Sequence, residues 1–137
     1  MLNREELAYI AGLFDGEGYI GLRHRSDQRG FRLDIAVTST SSSIIESFSM
    51  LGGRVDNQAR RITLMRGWKN RQQWRMQGQE AVDFLRVIEP FLREKRDLAL
   101  MAMEYWEQRT VSYHVVSDEE FALRSGYKLC MDYLRAG

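Results

Sequence analysis

The chain has 137 residues, of which 44% are apolar and 28% charged, and it contains one cysteine. This length suits a single domain over residues 1–137 and is too short for two domains of ordinary size. No segment reaches the ~20 uncharged apolar residues of a membrane-spanning helix, so we expect no membrane partner. The first residues, "MLNREEL", lack the features of a secretory signal, and Cys130 has no partner for an internal disulfide. Both features favour an intracellular location over a secreted one.

The net charge of +1 conceals a polarised distribution. From Tyr19 to Gln77 the chain carries eleven arginines and lysines against four acids, a net charge of +7, while the remainder carries nine against fifteen, or −6. All but three of the twenty bases are arginine, whose planar fork suits bidentate contacts to phosphate and guanine. The basic middle indicates a polyanion partner, although charge alone is equally compatible with an ordinary solvated surface.

The first elements follow from capping and alternation. Asn3 and Glu6 have capping-box spacing ahead of apolar residues at helical intervals, which predicts a helix over 4–15. The stretches "YIGLRHR" (19–25) and "FRLDIAVT" (31–38) alternate apolar and polar residues and predict an antiparallel hairpin. In the second strand, alternation places Arg32, Asp34, Ala36 and Thr38 on the outward face.

The rest of the chain predicts more sheet and several helices. A helix over 43–51 should end at Gly52 and Gly53, and strands are predicted at "RRITLM" (60–65) and "QQWRMQ" (72–77), with "DNQA" (56–59) as a candidate turn. Helices over 79–88, 91–108 and 119–134 follow. This order is typical of an α+β fold in which helices cover one face of an antiparallel sheet and leave the other to water.

The stretch "IAGLFDGEGYI" (10–20) combines glycines with a closely spaced acidic pair. Gly12 and Gly16 lie on one face of the first helix and leave a strip without side chains, where another helix can approach closely. Two such helices would bring two copies of Glu17 together. Paired carboxylates repel each other unless a cation lies between them, and Mg²⁺ prefers oxygen ligands of this kind.

Residues Ile10 to Gly18 resemble the nine-residue signature of the LAGLIDADG homing endonucleases. The stretch "WRMQGQEAVDFLRVIEPFLREKRDLAL" is similar to the family's fourth strand, its third helix and the Pro-aromatic-Leu-x-x-Lys segment that follows. In all, the resemblance covers about residues 5 to 106. It implies a mixed helix and antiparallel-sheet αββαββα fold with additional C-terminal helices and a saddle-shaped DNA-binding sheet.

The resemblance also implies roles for individual residues. Glu17 corresponds to the motif acid that binds the catalytic metal together with the backbone carbonyl of Gly16, and Asp15 to the acid with a structural role. Lys95 corresponds to a lysine that stabilises charge and tunes the attacking water. The expected cofactor is Mg²⁺ or Mn²⁺, with Ca²⁺ supporting binding without cleavage. Ser39 departs from the family pattern, because many relatives carry a glutamine or another long polar residue there.

The sequence has one copy of the signature, and its resemblance to single-motif members of the family implies a homodimer on double-stranded DNA, with Gly12 and Gly16 at the interface. The outward strand residues and the loop cations then become predicted DNA contacts, in which Arg suits guanine, Gln suits adenine and Asp34 suits cytosine. The predicted contacts are Arg23, Arg25, Arg29, Arg32, Asp34, Thr38, Arg61, Thr63, Lys69, Arg71, Gln73, Arg75 and Gln77.

The function that the resemblance implies is a metal-dependent, sequence-specific endonuclease that cuts both strands of a long, near-palindromic site. Two alternatives remain open: a DNA-binding regulator of the same fold that no longer cuts, and a maturase that assists RNA splicing. We do not expect an intein, because the sequence begins "MLNREE" and ends "YLRAG", without a splice-junction nucleophile or a terminal His-Asn pair at those positions.

Overall fold

A computed structural model describes residues 2–24, 29–57, 67, 71–110 and 115–137. These residues form α1 (Arg4–Glu17), β1 (Gly18–His24), β2 (Phe31–Ser39), α2 (Ser42–Ser49), β3 (Arg54–Asn57), β4 (Gln72–Gln77), α3 (Gly78–Ile88), a 3-10 turn (Glu89–Phe91), α4 (Arg96–Gln108) and α5 (Asp118–Ala136). The predicted α+β fold is confirmed. The predicted strand at 60–65 lies outside the described residues.

The four described strands form one antiparallel sheet in the order β1-β2-β4-β3. The predicted hairpin is confirmed, with Gly18 opposite Val37 at one end and His24 opposite Phe31 at the other. The predicted alternation is confirmed in β4, where Trp74 and Met76 are buried and their outward neighbours Gln73, Arg75 and Gln77 are partly exposed. In β2, residues 33–37 are all buried, so Asp34 and Ala36 of the outward face are covered as well as their inward neighbours. An aromatic cluster of Phe14, Phe48, Trp74 and Phe84 joins three helices to the sheet, and the Phe48 and Trp74 ring centroids lie 4.9 Å apart.

Helix α1 starts as predicted but ends later. The capping box is present, since Asn3 and Glu6 exchange side-chain hydrogen bonds with each other's backbone N–H. The helix continues through Gly16, so Glu17 is its last residue and does not lie beyond its end. Gly18 donates its N–H to the Phe14 carbonyl, and a Cβ at Gly18 would lie only 2.5 Å from that oxygen. The strand can therefore leave the helix this tightly only through a glycine.

Strand β3 lies where a turn was expected. Asp56 and Asn57, assigned to the candidate turn, instead pair with Gln73 and Gln72 of β4. Gly52 and Gly53 have positive φ angles of 109° and 76°, and a Cβ at Gly53 would lie 2.6 Å from the Arg75 carbonyl. The indole of Trp74 donates to the Gly52 carbonyl at 2.9 Å. This close backbone approach aligns β3 with β4, although its residues have weak strand propensity.

Helix α4 begins at Arg96, five residues later than the sequence predicts. Residues 89–91 form a 3-10 turn, and Leu92 is extended with its side chain buried. The cause is a distant side chain: the Asp15 carboxylate accepts hydrogen bonds from the N–H groups of Arg93 and Lys95, at 2.8 and 3.0 Å. The predicted bounds of the helices near 43–51, 79–88 and 119–134 agree with the structure to within about two residues at each end.

Helix α5 packs along α4 and against β1. Met131 is fully buried, and Ser117 caps the helix by accepting the N–H of Glu120. Arg135 reaches back to donate to the Ile20 carbonyl at 3.2 Å and lies over the Tyr19 ring. No helix among the described residues is both long and apolar enough to cross a membrane.

Candidate functional site

The end of α1 and the segment before α4 form one polar assembly. Asp15 holds this segment through the two backbone N–H groups described above, and the Lys95 ammonium donates to the Asp15 carbonyl at 2.5 Å. The lysine is half-buried. The structural role implied for Asp15 matches these contacts, which fix a cation beside the last turn of α1.

Gly16 and Glu17 follow directly and are exposed. The structure therefore brings the predicted acid and the predicted lysine to the same end of α1. Within residues 2–24, 29–57, 67, 71–110 and 115–137, no three His, Cys, Asp or Glu side chains cluster closely enough to hold a metal ion. Any metal at Glu17 would thus need further ligands from backbone oxygens, water, nucleic acid or another chain.

The predicted interface strip of α1 is open. A Cβ built on Gly12 or on Gly16 meets no atom of the described residues within 4 Å. Tyr9 lies one turn before Gly12 and has 60% of its surface exposed. The opposite face of the helix is buried through Ile10 and Phe14. The described part of the monomer thus places no packing demand on the two glycines.

The outward face of the sheet carries a charged triad. Asp34 in β2 lies between Arg23 of β1, at 2.7 Å, and Arg75 of β4, at 3.5 Å. The Asp34 side chain is 1% exposed, whereas that of Arg23 is 52% exposed. Neither Asp34 oxygen nor Arg75 Nε has an aligned hydrogen-bond partner in the part of the chain that is described, so these are charge contacts. Asp34 was predicted to accept from cytosine, but in this structure its carboxylate lies beneath two arginines.

The other predicted DNA contacts divide into four groups. Thr38 and Gln73 face each other across β2 and β4, joined by a 3.1 Å hydrogen bond, and Arg71 is exposed. Arg29 instead contacts the start of α5 through Asp118, at 2.5 Å, and the segment before it through the Val116 carbonyl, at 3.3 Å. Arg32 and Gln77 line a cleft at the end of the sheet. Arg25, Arg61, Thr63 and Lys69 lie outside the described residues.

Sequence reasoning missed some polar residues near this face. Arg54 and Asp56 pair with outward residues of β4 and contact each other at 3.4 Å. They were missed because β3 was not predicted. Arg109 and Arg124 were missed as well, because the sequence around them has no pattern typical of nucleic-acid binding. Only the tertiary fold brings them to the sheet.

Ser39, the position that departs from the family pattern, is used within the chain. Its hydroxyl accepts the N–H of Ser41 at 3.0 Å, and Ser41 in turn caps α2. The side chain thus shapes the turn after β2 and is too short to extend far beyond it.

The architecture is that of the LAGLIDADG homing endonucleases. Two structures of the endonuclease I-CvuI in complex with DNA, one with its own target and Ca and one with the I-CreI target and Mg, match with TM-scores of 0.69 and 0.71. Both are 18% identical to this chain, and the matches cover 98% of it and 84% and 87% of theirs. The archaeal intron-encoded endonuclease I-Vdi141I, also complexed with DNA, matches with a TM-score of 0.57 at 15% identity, over 97% of this chain and 98% of the other.

The sequence profile of the LAGLIDADG-like domain matches residues 4–89, more than half of the chain. The protein therefore belongs to the LAGLIDADG-like domain family. No curated protein sequence matches it at a significant level.

Proposed function

We propose that the protein is a sequence-specific endonuclease that acts as a homodimer on double-stranded DNA. The observation that carries this proposal is the contact between Lys95 and the end of α1 that bears Glu17. A lysine fixed beside an exposed carboxylate suits a reaction in which negative charge develops on a phosphodiester. The outward face of the sheet, which carries Arg23, Arg32 and Arg75, supplies the surface along which DNA would lie.

The exposed groups at the end of α1 fit a hard divalent cation. Glu17 offers carboxylate oxygens and Gly16 a backbone carbonyl, and Mg²⁺ is held by one or two carboxylates while it keeps several waters. When bound, such an ion would polarise the scissile phosphate and lower the pKa of water. Lys95 would offset charge on the phosphate, and Asp15 would hold that lysine in place through the backbone of its segment.

The open strip on α1 supports the dimer. Gly12 and Gly16 meet no other part of the described chain, so a second copy of α1 can approach closely there. A two-fold arrangement would bring both copies of Glu17 together and extend the two sheets along one duplex. Such an assembly would read a near-palindromic sequence.

A regulator that binds DNA without cutting is the second candidate, because Ser39 is engaged within its own turn. The deciding experiment incubates the protein with a randomised duplex library, first with Mg²⁺ and then with Ca²⁺. Recovery of double-strand breaks at one sequence with Mg²⁺, and of bound uncut duplexes with Ca²⁺, supports the nuclease. Enrichment of bound but intact duplexes under both conditions supports the regulator, and no enrichment contradicts both.

Within this function, we propose that Asp34 orients Arg23 and Arg75 and does not itself read a base. Asp34→Asn should then lower discrimination at the bases that these arginines contact, while the removal of the negative charge strengthens non-specific binding. We expect discrimination to fall about tenfold, at the lower end of the ~1–3 kcal/mol that a bidentate guanine contact supplies. The measurement is competition binding, in Ca²⁺, between the selected target and targets with single substitutions.

Asp56→Asn is the matched control. It makes the same charge change on the same face, at a carboxylate paired only with Arg54 among the described residues. Equal loss of discrimination in the two variants would show that charge alone is responsible and would overturn the orienting role. A melting temperature within a few degrees of the parent's establishes that Asp34→Asn folds.

A further inference from the structure

A polar cleft of about 450 Å³ opens at one end of the sheet. It lies between the start of β2, the junction of β4 with α3, the end of α4 and the middle of α5. The residues that define it are Arg32, Gln77, Tyr105, Trp106, Arg109 and Arg124. Neither the proposed catalysis nor the proposed reading of bases involves Tyr105, Trp106, Arg109 or Arg124.

The cleft has more cations than anions. Three arginines line it, and the neighbouring carboxylate of Glu120 accepts from Arg124 Nε at 3.0 Å and from the Thr110 N–H at 2.8 Å. Arg124 is further fixed by donating to the Thr110 carbonyl at 2.9 Å. Glu120 pairs directly with Arg124 and the backbone, and its charge also acts on Arg109. With three arginines and no carboxylate among its described lining residues, the cleft carries a net positive charge.

Arg109 is the most distinctive of these cations. Its guanidinium lies 3.5 Å above the Trp106 ring, and its buried Nε has no hydrogen-bond partner in the described part of the chain. Burial lowers the pKa of the Arg109 guanidinium, and Arg124 lowers it further. A buried donor without a partner is costly, and an anion entering the cleft would both pair this nitrogen and offset the charge.

The position of the cleft indicates the source of such an anion. Gly18, next to Glu17, pairs with Val37 at one end of the hairpin, whereas Arg32 pairs with Arg23 at the other. The cleft therefore lies at the end of the sheet remote from Glu17. Arg32 and Gln77 also belong to the outward face, so the cleft is continuous with the surface proposed to carry DNA.

We propose that this cleft binds a backbone phosphate of DNA that flanks the bases read by the sheet. The inference rests on the proposed function and adds a site to it. A planar guanidinium stacked on an indole is already oriented, and its fork matches two phosphate oxygens. Such an interaction adds affinity without sequence preference and holds the sheet in register on the duplex.

The test compares Arg109→Gln with the parent on two duplexes that share the selected target. One duplex ends with the recognised bases and the other extends about one helical turn beyond them. On the long duplex, the variant should bind more weakly, and the slope of log K against log salt should become shallower. The slope is expected to change by about 0.9 for each phosphate that the protein no longer neutralises. A dimer, which has two clefts, should show a change of about 1.8. On the short duplex, parent and variant should agree.

Arg86→Gln is the matched control, because Arg86 pairs with Glu107 and Asp83 on the helical layer. It should leave both slopes unchanged, and Arg109→Lys, which keeps the charge, should restore most of the slope on the long duplex. Unchanged slopes in Arg109→Gln, or an equal change of slope in Arg86→Gln, would overturn the proposal.

A separate arm distinguishes a backbone phosphate from free phosphate. The melting temperature of each protein is measured in inorganic phosphate and in chloride at equal ionic strength. One outcome is that phosphate stabilises the parent but not Arg109→Gln, while both proteins show the same salt slope on the long duplex. This outcome would assign the cleft to a free anion and contradict the backbone contact. A parent that binds no duplex contradicts the proposed function itself, whereas a parent that binds and a variant with an unchanged slope contradict only the cleft.

Discussion

Glu17→Gln is expected to abolish DNA cleavage while leaving DNA binding close to that of the parent. Glutamine keeps the size of the side chain but removes the negative charge that a divalent cation requires, and Glu17 is exposed at the end of α1, where the substitution leaves no cavity. Metal ions contribute several kcal/mol of transition-state stabilisation, so we expect a rate loss on the order of 10³ or more. Single-turnover cleavage of the selected target in Mg²⁺ measures it, with binding in Ca²⁺ followed in parallel.

Glu94→Gln is the control for this variant. It makes the same chemical change at Glu94, an exposed residue that precedes Lys95 in the chain. No role is proposed for Glu94. We expect Glu94→Gln to cut within a few-fold of the parental rate. Cleavage by Glu17→Gln at the parental rate would contradict the assignment of Glu17, and an equal loss in both variants would point to a general effect of charge near the helix end.

The parts of the fold that the sequence predicts are those governed by local signals. Asn3 and Ser117 cap their helices because the acceptor and the N–H that it binds lie three residues apart, and the β1–β2 hairpin follows from strict alternation. These signals act within a few residues, so they can be recognised without knowledge of the fold.

The elements that were predicted wrongly are those set by distant contacts. The start of α4 is delayed by Asp15, whose carboxylate binds a backbone N–H 80 residues away. Strand β3 forms because Gly53 lets its backbone approach β4. In both cases a tertiary interaction overrides the local preference of the residues.

The candidate site shows the same division. Glu17 and Lys95 were identified through a resemblance to known proteins. Their proximity depends on the contacts of Asp15, at the end of α1, with Lys95, in the segment before α4. Alternation placed Asp34 on the outward face and could not reveal that arginines from two neighbouring strands cover it. The cleft around Arg109 depends on four elements at once and has no local signal.

Gly12→Leu is expected to leave the folded monomer intact and to prevent cleavage of both strands. A Cβ at this position meets no atom of the described residues within 4 Å, so the larger side chain fits that part of the monomer. Replacing a glycine in a helix interior raises the free energy of unfolding by up to about 1 kcal/mol, since the unfolded chain loses conformational freedom. In a dimer, the leucine would stand between two helices that need a bare strip to pack closely, and both Glu17 side chains would be displaced.

The matched control is Gly126→Leu, the same substitution at an exposed glycine in α5 whose added Cβ likewise meets no atom within 4 Å. Sedimentation equilibrium on the target duplex should show two chains per duplex for the parent and for Gly126→Leu, and one for Gly12→Leu. The parent and Gly126→Leu should cut both strands, and Gly12→Leu should not. A Gly12→Leu protein that binds as a dimer and cuts both strands would show that α1 is not the interface, because an interface built on this strip has no room for a side chain of that size.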